Sequence, residues 1–167
     1  MINSSDIFHL TQFADDSTAT YSNSNLNDAI TIIEREFIKI VDWLTANKLI
    51  INLSKTHLMV FTNKKRPRNI SLNVKGTIIK ESTETKFLGI YLDNKLSWNS
   101  HIKHISSKMS KSVSIMKYLK YIFPTNILKT LYQTLVFPYM NYCNIIWGSA
   151  YNNTLKPIIL LQKSVFE

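Results

Sequence analysis

Apolar and polar positions change their rhythm several times along the chain, and each change marks an element. Ile7, Phe8, Leu10 and Phe13 precede Asp15-Asp16, and Thr18, Thr20 and Tyr21 follow, which predicts two short strands around an acidic turn. Ser22 to Asn25 is a turn with Asn25 as N-cap, and Asp28 falls in the first helical turn, where negative charge is favoured. Leu26, Ile30, Ile33, Phe37, Ile40, Val41 and Leu44 recur at three- and four-residue steps, so a helix is expected over 26–46. Glu34, Arg35, Lys39 and Asp42 fall largely off that face.

From Leu49 to Phe61 the pattern becomes β-like, with Leu58 to Phe61 as a compact apolar run. A basic loop follows (Lys64, Lys65, Arg66, Arg68), and then Ile70–Val74, Thr77–Lys80 and Lys86–Leu92 read as three strands. The first two of these join at Lys75-Gly76. After Asn94 the chain reads as helical to its end. Ser97 is placed to cap a helix whose inner face holds Ile102, Ile105, Met109, Val113, Met116 and Leu119. Pro124 opens a second helix through Leu128, Leu131 and Leu135, and Pro138 and Pro157 punctuate two shorter pieces. The expected fold class is α+β: an antiparallel sheet with a packed helix over 1–95, then an all-helical subdomain over 96–167.

Composition adds a partner class. Among 167 residues, 20 Lys and Arg stand against 11 Asp and Glu, a net charge of +9 that favours a polyanion such as nucleic acid. The single cysteine, Cys143, excludes an intrachain disulfide. Met1 to Asp6 lacks the pattern of a secretory signal, and no apolar run reaches the roughly 18 residues of a membrane span. An intracellular protein with no membrane partner is therefore expected.

Phe13-Ala14-Asp15-Asp16 is the most informative stretch for chemistry. Two adjacent carboxylates at a hairpin tip repel unless a cation lies close by, and oxygen-only ligands suit magnesium. A solvated turn is the competing reading, because Asp favours turns. His101 and His104 lie about one helical turn apart, but no cysteine cluster or carboxylate pattern completes a zinc site there.

Other segments accompany the acidic pair: Trp43-Leu44 with Asn47-Lys48-Leu49, then Asn52 to Thr56, and Phe87-Leu88-Gly89-Ile90 with Asp93, Leu96, Trp98 and His101-Ile102. Leu131-Tyr132, Pro138-Tyr139, Tyr142-Cys143, Trp147-Gly148 and Leu161-Gln162-Lys163 complete the series. In this order the segments resemble the palm and helical thumb of reverse transcriptases from jockey-like retrotransposons that lack long terminal repeats.

The resemblance implies an RNA-directed DNA polymerase fragment. Asp15 and Asp16 would be metal-site carboxylates for magnesium, and Lys55 would sit near the triphosphate as a general acid. Phe87, Leu88 and Gly89 would grip the primer end; Gly89, inside an apolar run, would mark a bulge or a close backbone approach. Lys103, Lys108, Lys111 and Lys117 would contact phosphates of an RNA template and DNA primer duplex, with deoxynucleoside triphosphates as substrate. The family's third carboxylate belongs on a strand well upstream of the acidic hairpin. Only fourteen residues precede Asp15, and Asp6 is too close to fill that place. A truncated chain, inactive alone, is expected; a non-catalytic basic nucleic-acid-binding remnant is the alternative.

Overall fold

The computed structural model describes residues 7–65 and 69–165. Arg66 and Arg68 of the basic loop, and Asp6, lie outside the described residues. The chain is mixed α and β, and it divides into two compact units, 1–60 with 64–82 and 61–63 with 83–167.

The first unit opens with antiparallel strands β1 (His9–Phe13) and β2 (Asp16–Thr20), followed by helix α1 (Leu26–Ala46). The helix has the bounds its apolar spacing predicts. Asn25 caps it by accepting the N–H of Asn27, and Asp28 lies in the first turn. At the other end Lys48 takes a left-handed φ of 59°. Its N–H donates to Thr45 C=O and that of Leu49 to Leu44 C=O, which closes the orphan carbonyls of the last turn.

Strands β3 (Ser71–Val74) and β4 (Thr77–Lys80) form a second hairpin. Lys75 and Gly76, at φ 50° and 84°, give the two-residue turn whose twist matches paired strands. Val41 of α1 packs with Leu72, Val74 and Ile79, and Ile30, Ile33, Phe37, Leu53 and Leu58 close in around them. The polar positions of α1 are not idle: Glu34 accepts the Asn73 N–H at 2.6 Å, and Asp42 pairs with Lys75. Glu36 is buried, and its Oε1 meets Arg35 Nε at 3.1 Å and Lys39 Nζ at 2.8 Å.

The strand expected within Leu49–Phe61 does not form. A 3-10 turn occupies Leu53–Lys55, and Leu58 alone makes a bridge, to Glu81. A β-like pattern becomes a strand only where a partner edge lies alongside. The same logic applies to the sheet as a whole. Among the described residues there are three separate two-stranded sheets rather than one antiparallel sheet.

In the second unit, the strand expected over Lys86–Leu92 is a hairpin, β5 (Glu84–Phe87) and β6 (Ile90–Asp93). Leu88 and Gly89 turn the chain at φ 45° and 84°. The glycine marks a turn, not a bulge. Helix α2 (Asn99–Leu119) follows, then α3 (Thr125–Leu135), α4 (Phe137–Asn141), α5 (Asn144–Trp147) and α6 (Asn152–Lys163).

Ile102, Ile105, Met109, Val113 and Met116 of α2 face a core shared with Ile90, Trp98, Val136, Trp147 and Ile158. Ile90 joins that core and Leu92 packs against it, so the β5–β6 hairpin lies in the same compact unit as the helices. Pro157 lies inside α6 rather than at its edge, where it removes one helical N–H. No helix among the described residues is long and apolar enough to cross a membrane.

The cap position of α2 is Trp98, at φ 64°, and the Ser97 hydroxyl one residue earlier accepts the N–H of Asn99, the first helical residue, at 3.5 Å. The turn before the helix is organised by Asp93. Its carboxylate accepts the N–H groups of Lys95 and Ser97 at 3.0 Å, that of Trp98 at 2.9 Å, and the Ser97 hydroxyl at 3.2 Å. These bonds hold Leu96 and Trp98 in left-handed conformations that their side chains disfavour.

Candidate functional site

The acidic pair sits where the sequence puts it, at the end of a β-hairpin. Phe13 pairs with Asp16, so Ala14 and Asp15 form the two-residue loop and Asp16 opens β2. Ala14 has φ 52°, a left-handed value that costs a non-glycine residue about 1–2 kcal/mol. Both aspartates are exposed, as is Phe13 at 65%. Phe8 is buried and meets Tyr21 edge-on, with ring centroids 6.4 Å apart.

Lys55 belongs to the same unit and ends the 3-10 turn that Asn52 caps through the Ser54 N–H. Its side chain is exposed, and among the described residues no hydrogen bond or ion pair joins it to Asp15 or Asp16. Nor does any third His, Cys, Asp or Glu among them join the aspartates in a group able to hold a metal ion. Two adjacent carboxylates are oxygen donors of the kind that hard divalent cations take.

Phe87, Leu88 and Gly89 lie at the tip of β5–β6 in the other unit. The Tyr142 hydroxyl donates to Leu88 C=O at 2.7 Å, and a Cβ on Gly89 would lie 3.2 Å from the Tyr142 ring. Tyr142 C=O in turn accepts the indole N–H of Trp147 at 2.9 Å. Trp147 meets His101 edge-on at 5.7 Å, and His101 Nδ1 faces the Tyr91 N–H at 3.4 Å. The hairpin tip is thus tied into the helical core from two sides. His101 is 2% exposed, and among the described residues its Nε2 has no hydrogen-bond partner. Burial, with a smaller push from His104, holds its imidazole below the usual range. His104 stands against Tyr91 with centroids 4.7 Å apart.

Lys103, Lys108, Lys111 and Lys117 are all exposed on α2. Helical spacing puts Lys111 opposite the buried row, Lys108 on one flank, and Lys103 and Lys117, about four turns apart, on the other. Two signals escape the pattern reading. Tyr142 is separated by 54 residues from the turn it holds, and no local pattern reveals that. Charge partition could have been read: residues 95–167 carry nine lysines and one acid, Glu167, a net +8, against +1 for residues 1–94.

The class of protein that the chain is similar to is the RNA-directed DNA polymerase of mobile elements. Among curated relatives it is 26% identical over 160 residues to the probable RNA-directed DNA polymerase from transposon X-element of Drosophila melanogaster, 93% of this chain. It is 26% identical over 157 residues to that from transposon BS, and 27% over 156 residues to the RNA-directed DNA polymerase from mobile element jockey, both of the same fly. The jockey-like resemblance read from the motifs is borne out. The chain spans 17% of the length of each of these relatives. No family model and no solved structure matches it.

Proposed function

We propose that the chain is the acidic-hairpin and thumb portion of an RNA-directed DNA polymerase of a jockey-like mobile element. The carrying observation is that Asp15-Asp16 caps a β-hairpin in a chain aligned with such polymerases over 93% of its length. In this reading the palm takes in the elements up to residue 95, and the helices from 96 onward form the thumb.

Asp15 and Asp16 are the metal-site carboxylates of the complete enzyme, in which two magnesium ions would neutralise charge on the attacking hydroxyl and the leaving phosphate. Lys55, exposed on a short turn, is placed in chain order to meet the triphosphate and give up a proton to departing pyrophosphate. The turn at Leu88-Gly89 presents its backbone to the primer end. Lys103, Lys108, Lys111 and Lys117 contact phosphates of the template–primer duplex without reading sequence.

A chimera tests this: the jockey polymerase with its aligned segment replaced by this chain. RNA-templated primer extension by the chimera, lost on Asp15→Ala or Asp16→Ala, is the expected result. Extension indifferent to both substitutions would remove the catalytic assignment.

The charge of 95–167 favours a second reading, a non-catalytic nucleic-acid-binding protein. Duplex binding that weakens steeply with salt but ignores magnesium and Asp15→Ala would select it.

A further inference from the structure

The turn between β5 and β6 is held by a residue 54 positions away. In this two-residue loop the strand ladder closes at Phe87 and Ile90, so the Leu88–Gly89 peptide lies outside it. Leu88 sits at φ 45°, a left-handed value that leucine disfavours, and the loop by itself does not fix that peptide. Tyr142 does. Its hydroxyl donates to Leu88 C=O at 2.7 Å, and the bare Cα of Gly89 leaves room for its ring.

Tyr142 is anchored on both sides of its own backbone. Its N–H donates to Pro138 C=O at 3.0 Å, and its C=O accepts the indole N–H of Trp147 at 2.9 Å. Trp147 is 5% exposed and belongs to the core that α2 faces. The Leu88 carbonyl is therefore referenced to the helical core through one phenol.

A trans peptide carries its C=O and N–H on opposite sides, and no peptide bond among the described residues is cis. Fixing Leu88 C=O toward Tyr142 thus turns the Gly89 N–H away from it. A flip of the peptide would reverse both groups at once, and the Tyr142 bond opposes that flip. Gly89 is exposed, and without a side chain it lets a ligand come close to its backbone. The outward group is a donor, of the kind that bonds phosphate oxygens without reading sequence.

We infer that Tyr142 is a positioning residue for the primer end: by holding the Leu88 carbonyl, its hydroxyl aims the Gly89 N–H at a phosphate of the primer strand. The inference rests on the reading of this turn as the contact to the primer end, and adds the residue on which that contact depends. Tyr142 itself does not touch the primer. Its effect passes through one peptide plane, so losing the hydroxyl and losing the phosphate charge are two ways of removing the same interaction.

The test is fluorescence anisotropy at low salt, with the full chain and a short RNA–DNA hybrid whose DNA 3′ end is recessed. A neutral methylphosphonate replaces each of the last three primer phosphates in turn, or one in mid-duplex. For the parent, one of the end positions should weaken binding about fivefold. Tyr142→Phe removes only an exposed hydroxyl, and circular dichroism checks its fold. It should bind the unmodified hybrid about fivefold more weakly and lose less than about twofold more at that same end position. The mid-duplex replacement should cost both proteins alike. A merely structural role for Tyr142 gives losses that multiply at every position, and that result overturns the inference. So does equal binding of the unmodified hybrid by Tyr142→Phe and the parent. If the parent binds the hybrid but no end position matters, this inference alone falls; if it does not bind the hybrid, the proposed function falls with it.

Discussion

Asp93 is ionised for a structural reason. Burial opposes its charge, but three backbone N–H donors and the Ser97 hydroxyl outweigh that and hold its carboxyl below the ordinary 3.8. Its stabilising contribution is present above the unfolded value and is lost as pH falls through the lower folded one. Asp93→Asn should therefore cost about 2–3 kcal/mol at neutral pH, seen as a lower urea midpoint, and should lose less than the parent on acidification below 4 or so. His101 works from the other charge type with the same sign. Its folded value lies below the ordinary 6.5, so the unfolded chain binds the proton first. The parent should lose stability as the pH falls below about 6.5, and His101→Phe should flatten that slope in a urea series. At the hairpin tip, Gly89→Ala meets both a φ of 84° and the Tyr142 ring at 3.2 Å. A loss of about 1–2 kcal/mol is expected, against roughly 1 kcal/mol for Tyr142→Phe, which removes only the hydroxyl.

At the scale of elements, the end of α1 offers an opposite change. Lys48 holds the left-handed position that glycine occupies without strain. Lys48→Gly should raise stability by about 0.5–1 kcal/mol, visible as a higher melting temperature. The helix itself was legible because one apolar stripe, an asparagine cap and an acidic first turn all agree over 26–46. Agreement of this kind failed elsewhere for identifiable reasons. Lys86–Leu92 looks like one strand because leucine, at φ 45°, is not a turn signal, and only the glycine beside it betrayed the hairpin. Leu49–Phe61 has β-favouring residues, but strand formation depends on a neighbour that periodicity cannot report. Ser97 has the chemistry of a cap, and a carboxylate four residues earlier took over the organisation of the turn.

Over the whole molecule, the candidate site residues fall into two groups, Asp15, Asp16 and Lys55 in one compact unit and the turn at Gly89 with the α2 lysines in the other. The motif order made this candidate set readable, since short acidic and glycine-containing segments survive in sequence even where the sheet around them does not form. What stayed hidden was the linkage through Tyr142 and Trp147, which depends on the folded path of the chain. Two expectations belong at this scale. The chain alone should give no primer extension on an RNA template with magnesium; extension abolished by Asp15→Ala would disprove this. Duplex affinity should fall with salt on a log–log slope of about 0.9 per phosphate contact, and Lys108→Ala with Lys111→Ala should flatten it by roughly 2.

The placement of the tryptophans gives each half of the polypeptide its own optical reporter. Trp98 and Trp147 are 8% and 5% exposed within one core, whereas Trp43 on α1 is 37% exposed. Indole emission shifts to longer wavelength when water reaches the ring. The blue part of the spectrum should then follow the melting of the lysine-rich helices, and the redder contribution of Trp43 should follow the acidic-hairpin half. Label-free denaturation curves of the parent and of Trp43→Phe would tell whether the two halves come apart together or in turn.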